Sequence, residues 1–96
     1  MKATNEKDRQ SAKEILEDLG YEDVVVFDNF SYDDALIGVS DDNRAIYSYD
    51  KMVDWLIETQ GFTYEESVEW IDYNTIRALP YYEGAPIIMY PVVDYV

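Results

Sequence analysis

Carboxylates are the one reactive group that this sequence offers in number, with 21 Asp and Glu among 96 residues and neither histidine nor cysteine. The lack of imidazole and thiolate removes the commonest general base, the usual nucleophile and the usual zinc ligands. Acid chemistry remains, either a pair of carboxyls flanking a glycosidic bond or a cluster holding magnesium or calcium. Asp33-Asp34 and Asp41-Asp42 are the closest pairs. In strands and turns neighbouring side chains diverge, so adjacency does not make two acids converge on one point. The stretch 28–39, DNFSYDDALIGV, carries oxygen ligands at short spacing, with Asp28, Asp33 and Asp34 as the candidate cation ligands. It departs from a calcium loop of the EF-hand kind, because Asp33 stands at the position that requires glycine and Val39 where the bidentate Glu belongs. Four isolated glycines build no phosphate-binding loop. The expectation is a protein without catalytic residues and without a cofactor.

The second use of carboxylates is recognition. Read with a 3.6-residue period, 63–79 forms an amphipathic helix with Tyr64, Val68, Ile71, Thr75 and Ala78 on its apolar stripe. Glu65, Glu69 and Asp72 line the opposite side, and Asp54 and Glu58 repeat the four-residue step on the preceding helix. At 1.5 Å per residue Glu65 to Glu69 and Asp54 to Glu58 advance roughly 6 Å and Glu69 to Asp72 roughly 4.5 Å, a pitch comparable to that of duplex phosphates. Tyr73 adds area and a π face for arginine. Asn74 reads as a tie to neighbouring backbone, and the Arg77 fork as a structural link to a loop carboxylate such as Asp28, Asp33 or Asp34.

Seven Lys and Arg leave a formal net charge of -14. Four of the seven fall within the first thirteen positions, so the rest of the chain is almost purely acidic. Such a field repels nucleic acid and anionic membranes and favours basic partners. Solubility, attraction to a basic protein surface and cation binding are the three explanations open to it. No apolar run approaches a membrane span and the start has no apolar leader core, which makes cytoplasmic the expected location.

The elements that must position these groups read in order as α, β, β, β, α, α, β. A first helix capped by Thr4 or Asn5 runs to about Leu19 and stops at Gly20, with Ala12, Ile15, Leu16 and Leu19 on its apolar side. The run Val24-Val25-Val26-Phe27 makes 21–27 a short buried strand. Strands 35–40 and 44–49 form a hairpin across Asp41-Asp42-Asn43, with Ala45, Tyr47 and Tyr49 on one face. Asp50 caps a helix to Gln60, ended by Gly61, with Met52, Trp55, Leu56 and Thr59 inward. Thr63 and Glu66 form a capping box, Pro80 closes the next helix, and 86–90 is an edge strand bracketed by prolines. These elements predict one α+β domain spanning 1–96, with 1–3 and 92–96 frayed. Its small, mainly antiparallel sheet has about four strands, and three helices pack on one face.

From residue 21 onward the chain also resembles a family of small acidic proteins of Gram-positive bacteria and their phages. The resemblance rests on DDALIGV at 33–39, RAIYSY at 44–49 and WIDYNTIRALPYYEGAPIIM at 70–89, of which YNTIRALP, Tyr73 to Pro80, is the specific part. It implies a setting in phages or mobile elements rather than an activity. Small acidic proteins of that setting often inhibit host nucleic-acid enzymes, the DNA-mimicking anti-CRISPR and anti-restriction proteins among them.

The leading expectation is therefore a non-enzymatic inhibitor in the bacterial cytoplasm. Its row Glu65, Glu69, Asp72, Asp54 and Glu58, with Tyr73, would occupy a basic nucleic-acid-binding surface, with no direct contact to nucleic acid or membrane. The alternatives are a housekeeping interaction module or homo-oligomer joined through strand 86–90, and a cation-dependent protein using Asp28 to Asp34.

Overall fold

The computed structural model describes residues 10–93. Ser11 opens the first helix, α1 (Ala12–Asp18), by a reciprocal capping box in which its hydroxyl accepts from the Glu14 amide and Glu14 Oε1 accepts from the Ser11 amide. The expected cap at Thr4 or Asn5 lies outside the described residues, but Ser11 is extended (φ -69°, ψ 162°), so the helix expected to run unbroken to Leu19 begins only at Ala12. Gly20 adopts φ 94°, and the amides of Gly20 and Tyr21 donate to the carbonyls of Glu17 and Leu16, the pair of hydrogen bonds that closes many helices on a left-handed residue. Ala12 and Leu16 are buried, but Leu19 sits past the last turn with 69% of its surface exposed.

Residues 21–27 form no strand, contrary to the expectation from their β-branched run. Val24 and Phe27 are buried while Val25 and Val26 are half-buried, so burial recurs every three residues where a strand face needs two. The Phe27 amide donates to Tyr47 Oη at 3.5 Å instead of entering a ladder. This segment covers the core as an irregular strap. Phe27 lies 4.8 Å from the Tyr47 ring and 5.7 Å from Tyr32.

The hairpin forms as expected. Strands β1 (Leu36–Val39) and β2 (Ala45–Ser48) pair antiparallel, with an irregularity between Leu36 and Gly38. Asn43 takes φ 68°, a left-handed turn that Asn tolerates, and the Ser40 hydroxyl donates to Asp42. That contact, with the Arg44 charge in a smaller part, holds the Asp42 carboxyl below its ordinary range. Ala45 and Tyr47 face the core, but Tyr49 has already entered the next helix, α2 (Tyr49–Gln60). Ser48, rather than Asp50, caps α2 by accepting from the Lys51 amide. Met52, Val53 and Leu56 are its buried side, while Thr59, expected inward, is exposed.

Gly61 at φ 72° turns the chain into α3 (Tyr64–Trp70), whose Thr63–Glu66 capping box is present as read from the sequence. After Trp70 the helix widens into a π-helical turn over Ile71–Ile76, then tightens into a 3-10 turn at Leu79–Tyr81. Strand β3 (Ile87–Met89) then pairs with β2 in parallel, giving sheet order β1-β2-β3. The sheet is thus mixed and three-stranded, not a mainly antiparallel sheet of about four. One strand is lost to the strap, and β3 returns parallel because two helices carry the chain back across the sheet before it pairs. Arg44 fastens this arrangement, as its Nε donates to the Ala85 carbonyl at 2.7 Å just before β3.

Beneath these elements lies one core, in which Tyr32, Tyr47, Met52, Leu56 and Ile71 are all but completely buried. Tyr32 reaches it from a left-handed backbone, φ 50° and ψ 44°, an unfavourable conformation for a bulky residue. Its hydroxyl shares a 2.7 Å hydrogen bond with Thr75 Oγ1, itself buried in the π turn. Replacing only one partner, Tyr32→Phe, leaves the Thr75 hydroxyl buried without that bond and is expected to cost roughly 1–3 kcal/mol in urea unfolding. Adding Thr75→Val should restore part of the loss. Additive losses in the double variant would show that the pair is not coupled.

Candidate functional site

The helix that carries most of the candidate residues presents three faces. Its buried line runs through Ser67, Ile71 and Thr75. Tyr64, assigned to the apolar stripe from its spacing, is instead 64% exposed, and Val68 is half-buried. A polar residue can lead the buried line because the Ser67 hydroxyl donates to the Thr63 carbonyl at 2.9 Å, satisfying itself within the helix.

The second face holds the acids. Glu65, Glu69 and Asp72 are exposed, as are Asp54 and Glu58 one turn apart on α2. The first turn of α3 contains Glu65 and Glu66, where the unpaired amides of a helix start favour negative charge. Asp72 lies within electrostatic reach of Tyr49, whose ring is 5.0 Å from Tyr90. Burial, and then the negative charge of Asp72, push the Tyr49 phenol above its ordinary range.

A third face was not read from the sequence. Glu66, Glu69, Trp70, Tyr73 and Asn74, spaced as one helical side, join Phe62 in lining an open groove of about 340 Å³. Phe62 and Trp70 belong to an aromatic cluster with Phe30, whose ring is 4.9 Å from Trp70 and 6.2 Å from Phe62. The spacing 62, 66, 69–70, 73–74 was available as a signal. It is masked because Phe62 precedes the cap and because the apolar stripe of the same helix draws the eye to its buried side.

The candidate residues are thus divided. Glu69 and Tyr73 line the groove, Asp72 lies toward Tyr49, and Asp54 and Glu58 stand on α2 outside the groove lining. Asn74 Nδ2 donates to the Trp70 carbonyl at 3.3 Å, a bond within its own helix across the widened turn. Arg77 does not reach for a loop carboxylate. Its guanidinium lies over the Tyr73 ring, 4.5 Å from the centroid, because Arg77 follows Tyr73 by four residues on the same side.

Among the cation candidates, Asp33 Oδ1 accepts the Ala12 amide at 2.8 Å, tying the 3-10 turn before β1 (Asp33–Ala35) to α1. Asp28 is exposed, and among the described residues no group of three or more carboxylates is placed to hold a metal ion. No helix among the described residues is long and apolar enough to cross a membrane.

Compared with protein-family models, curated proteins and solved structures, the chain matches none of them.

Proposed function

We propose that this protein is a non-enzymatic binding protein that lays an acidic, tyrosine-bearing surface over a basic nucleic-acid-binding site of a bacterial protein. The observation that carries this reading is the exposed set Glu65, Glu69, Asp72, Asp54 and Glu58 on two successive helices of a chain with a net charge of -14. Carboxylates replace phosphates as partners of Arg and Lys, and each contact made displaces counterions from both surfaces. The resemblance of residues 33–39, 44–49 and 70–89 to small acidic phage proteins supplies the setting, an inhibitor of a host nucleic-acid enzyme in the manner of DNA-mimicking anti-restriction or anti-CRISPR proteins.

Capture from a bacterial lysate tests it. Proteins retained at about 50 mM salt should be nucleic-acid-binding proteins, should elute by about 200 mM, and should be displaced by added duplex DNA. Retention indifferent to both salt and DNA would overturn the reading.

One observation bears on the alternative of a homo-oligomer joined through β3. The strand lies at the sheet edge next to the exposed Tyr90. It is three residues long and flanked by Pro86 and Pro91, features that blunt an edge against further pairing. A dimer that persists at high salt in a sizing experiment would favour that alternative over the acidic surface.

A further inference from the structure

The groove beside α3 combines two features that separately recognise the same ligand. Phe62, Trp70 and Tyr73 contribute aromatic surface, and Glu66 and Glu69 contribute carboxylates along the same side of the helix. Aromatic faces attract cations through their quadrupole, and carboxylates attract them through charge. Glu66 uses Oε1 to accept the Thr63 amide, which leaves its second oxygen for another donor. Asn74 adds a side-chain carbonyl at the far end, since its amide nitrogen is occupied by the Trp70 carbonyl.

We infer that this groove seats one arginine side chain of the basic partner, its guanidinium stacked on the Trp70–Tyr73 aromatic surface and hydrogen-bonded to Glu69. The inference rests on the proposed function and deepens it by naming the point at which the acidic surface becomes selective. Arginine fits better than lysine, because the groove is open and its lining runs from Phe62 to Asn74, which suits a planar fork that stacks and bonds side-on, whereas a compact ammonium gains most in a closed cage. Arg77 covers one face of the Tyr73 ring and is not among the groove's lining residues, so the incoming guanidinium takes the face of Tyr73 turned to the groove. Charge complementarity selects a cationic occupant over an apolar one, because both carboxylates would be left facing hydrocarbon otherwise.

The test uses the full chain labelled with nitrogen-15 and titrated at low salt with the blocked tripeptide Gly-Arg-Gly, its citrulline counterpart and its lysine counterpart. Expected are saturable shifts of the Trp70 indole N–H and the Glu69 and Asn74 amides with the arginine peptide, and little response to citrulline, which keeps the shape without the charge. Tyr73→Ala and Glu69→Gln should each weaken binding about twofold to fivefold, as an exposed cation-π contact and an exposed ion pair warrant. An equal response to lysine would overturn the assignment to arginine. Shifts spread over Glu65, Asp72, Asp54 and Glu58, with Trp70 and Asn74 silent, would overturn the groove and leave the acidic surface standing. A parallel titration with nonaarginine separates the two ideas, because absence of any shift there would sink the acidic-surface reading itself.

Discussion

Replacing Glu65, Glu69 and Asp72 together by lysine is expected to weaken binding to the partner captured at low salt by roughly 100-fold or more, with the fold unchanged. Three attractive contacts become three repulsive ones, and like charges facing a basic surface also slow the encounter. The dependence of affinity on salt should become shallower at the same time, because fewer counterions are released. Stability should change little, since all three side chains are exposed and exposed substitutions away from packed features are usually worth within about 0.5 kcal/mol. Relief of self-repulsion within so acidic a chain works in the stabilising direction. The Lys at position 65 works in the other, because it places a positive charge in the first turn of α3. Calorimetric affinity at two salt concentrations, with circular dichroism melts as a control, measures both halves of the expectation. Unaltered affinity in a folded triple variant would remove α3 from the interface.

Alkaline pH is expected to destabilise the protein through its buried phenols, and Tyr47 most of all. Burial, reinforced by the nearby Asp33 charge, pushes the Tyr47 phenol from its ordinary 10.0 up to about 12, and burial raises Tyr32 in the same direction. A folded-state pKa above the unfolded one means that the folded protein holds its proton longer. The stabilisation is therefore complete below pH 10 and is lost as the pH rises through 12. For Tyr47, a shift of that size corresponds to about 2–3 kcal/mol. Urea midpoints measured from pH 9 to pH 12 should fall steeply. Tyr47→Phe removes the titrating group while sparing the ring contact with Phe27, so its midpoint should start slightly lower and fall less. Parallel slopes in the two proteins would show that Tyr47 does not control the alkaline transition.

The contrast between these two groups of residues shows which features were legible in the sequence. Glu65, Glu69 and Asp72 could be assigned to an exposed face because charge cannot be buried cheaply, so their spacing alone nearly settles where they point. The N-cap Thr63, the stop at Gly61 and the hairpin turn at Asn43 were legible for a related reason. Each depends on bonds or backbone angles within a few residues, and the local chain supplies all of them.

Features that join distant parts of the chain were not legible. Val24 to Phe27 has the composition of a strand, yet it has no ladder partner and lies as a strap over the core, where Tyr47, twenty residues away, takes the Phe27 amide. Tyr64 satisfied the helical period as well as Ser67 did, and only packing against the rest of the protein decided that the smaller residue turns inward. The groove residues from Glu66 to Asn74 follow the helical period, but Phe62 stands before the Thr63 cap, and only the folded turn brings it beside them. The α+β character, the Thr63 helix start, the stops at Gly20 and Gly61, the hairpin and the acidic exterior are written in the sequence, since they follow from short-range bonding and from the cost of desolvating charge. The caps at Ser11 and Ser48, the parallel edge strand, the strap, the π turn and the division of the acidic helix into a charged face and an aromatic groove come from tertiary packing. Those depend on which distant surfaces meet, and burial free energy, being non-directional, leaves that choice to the whole chain.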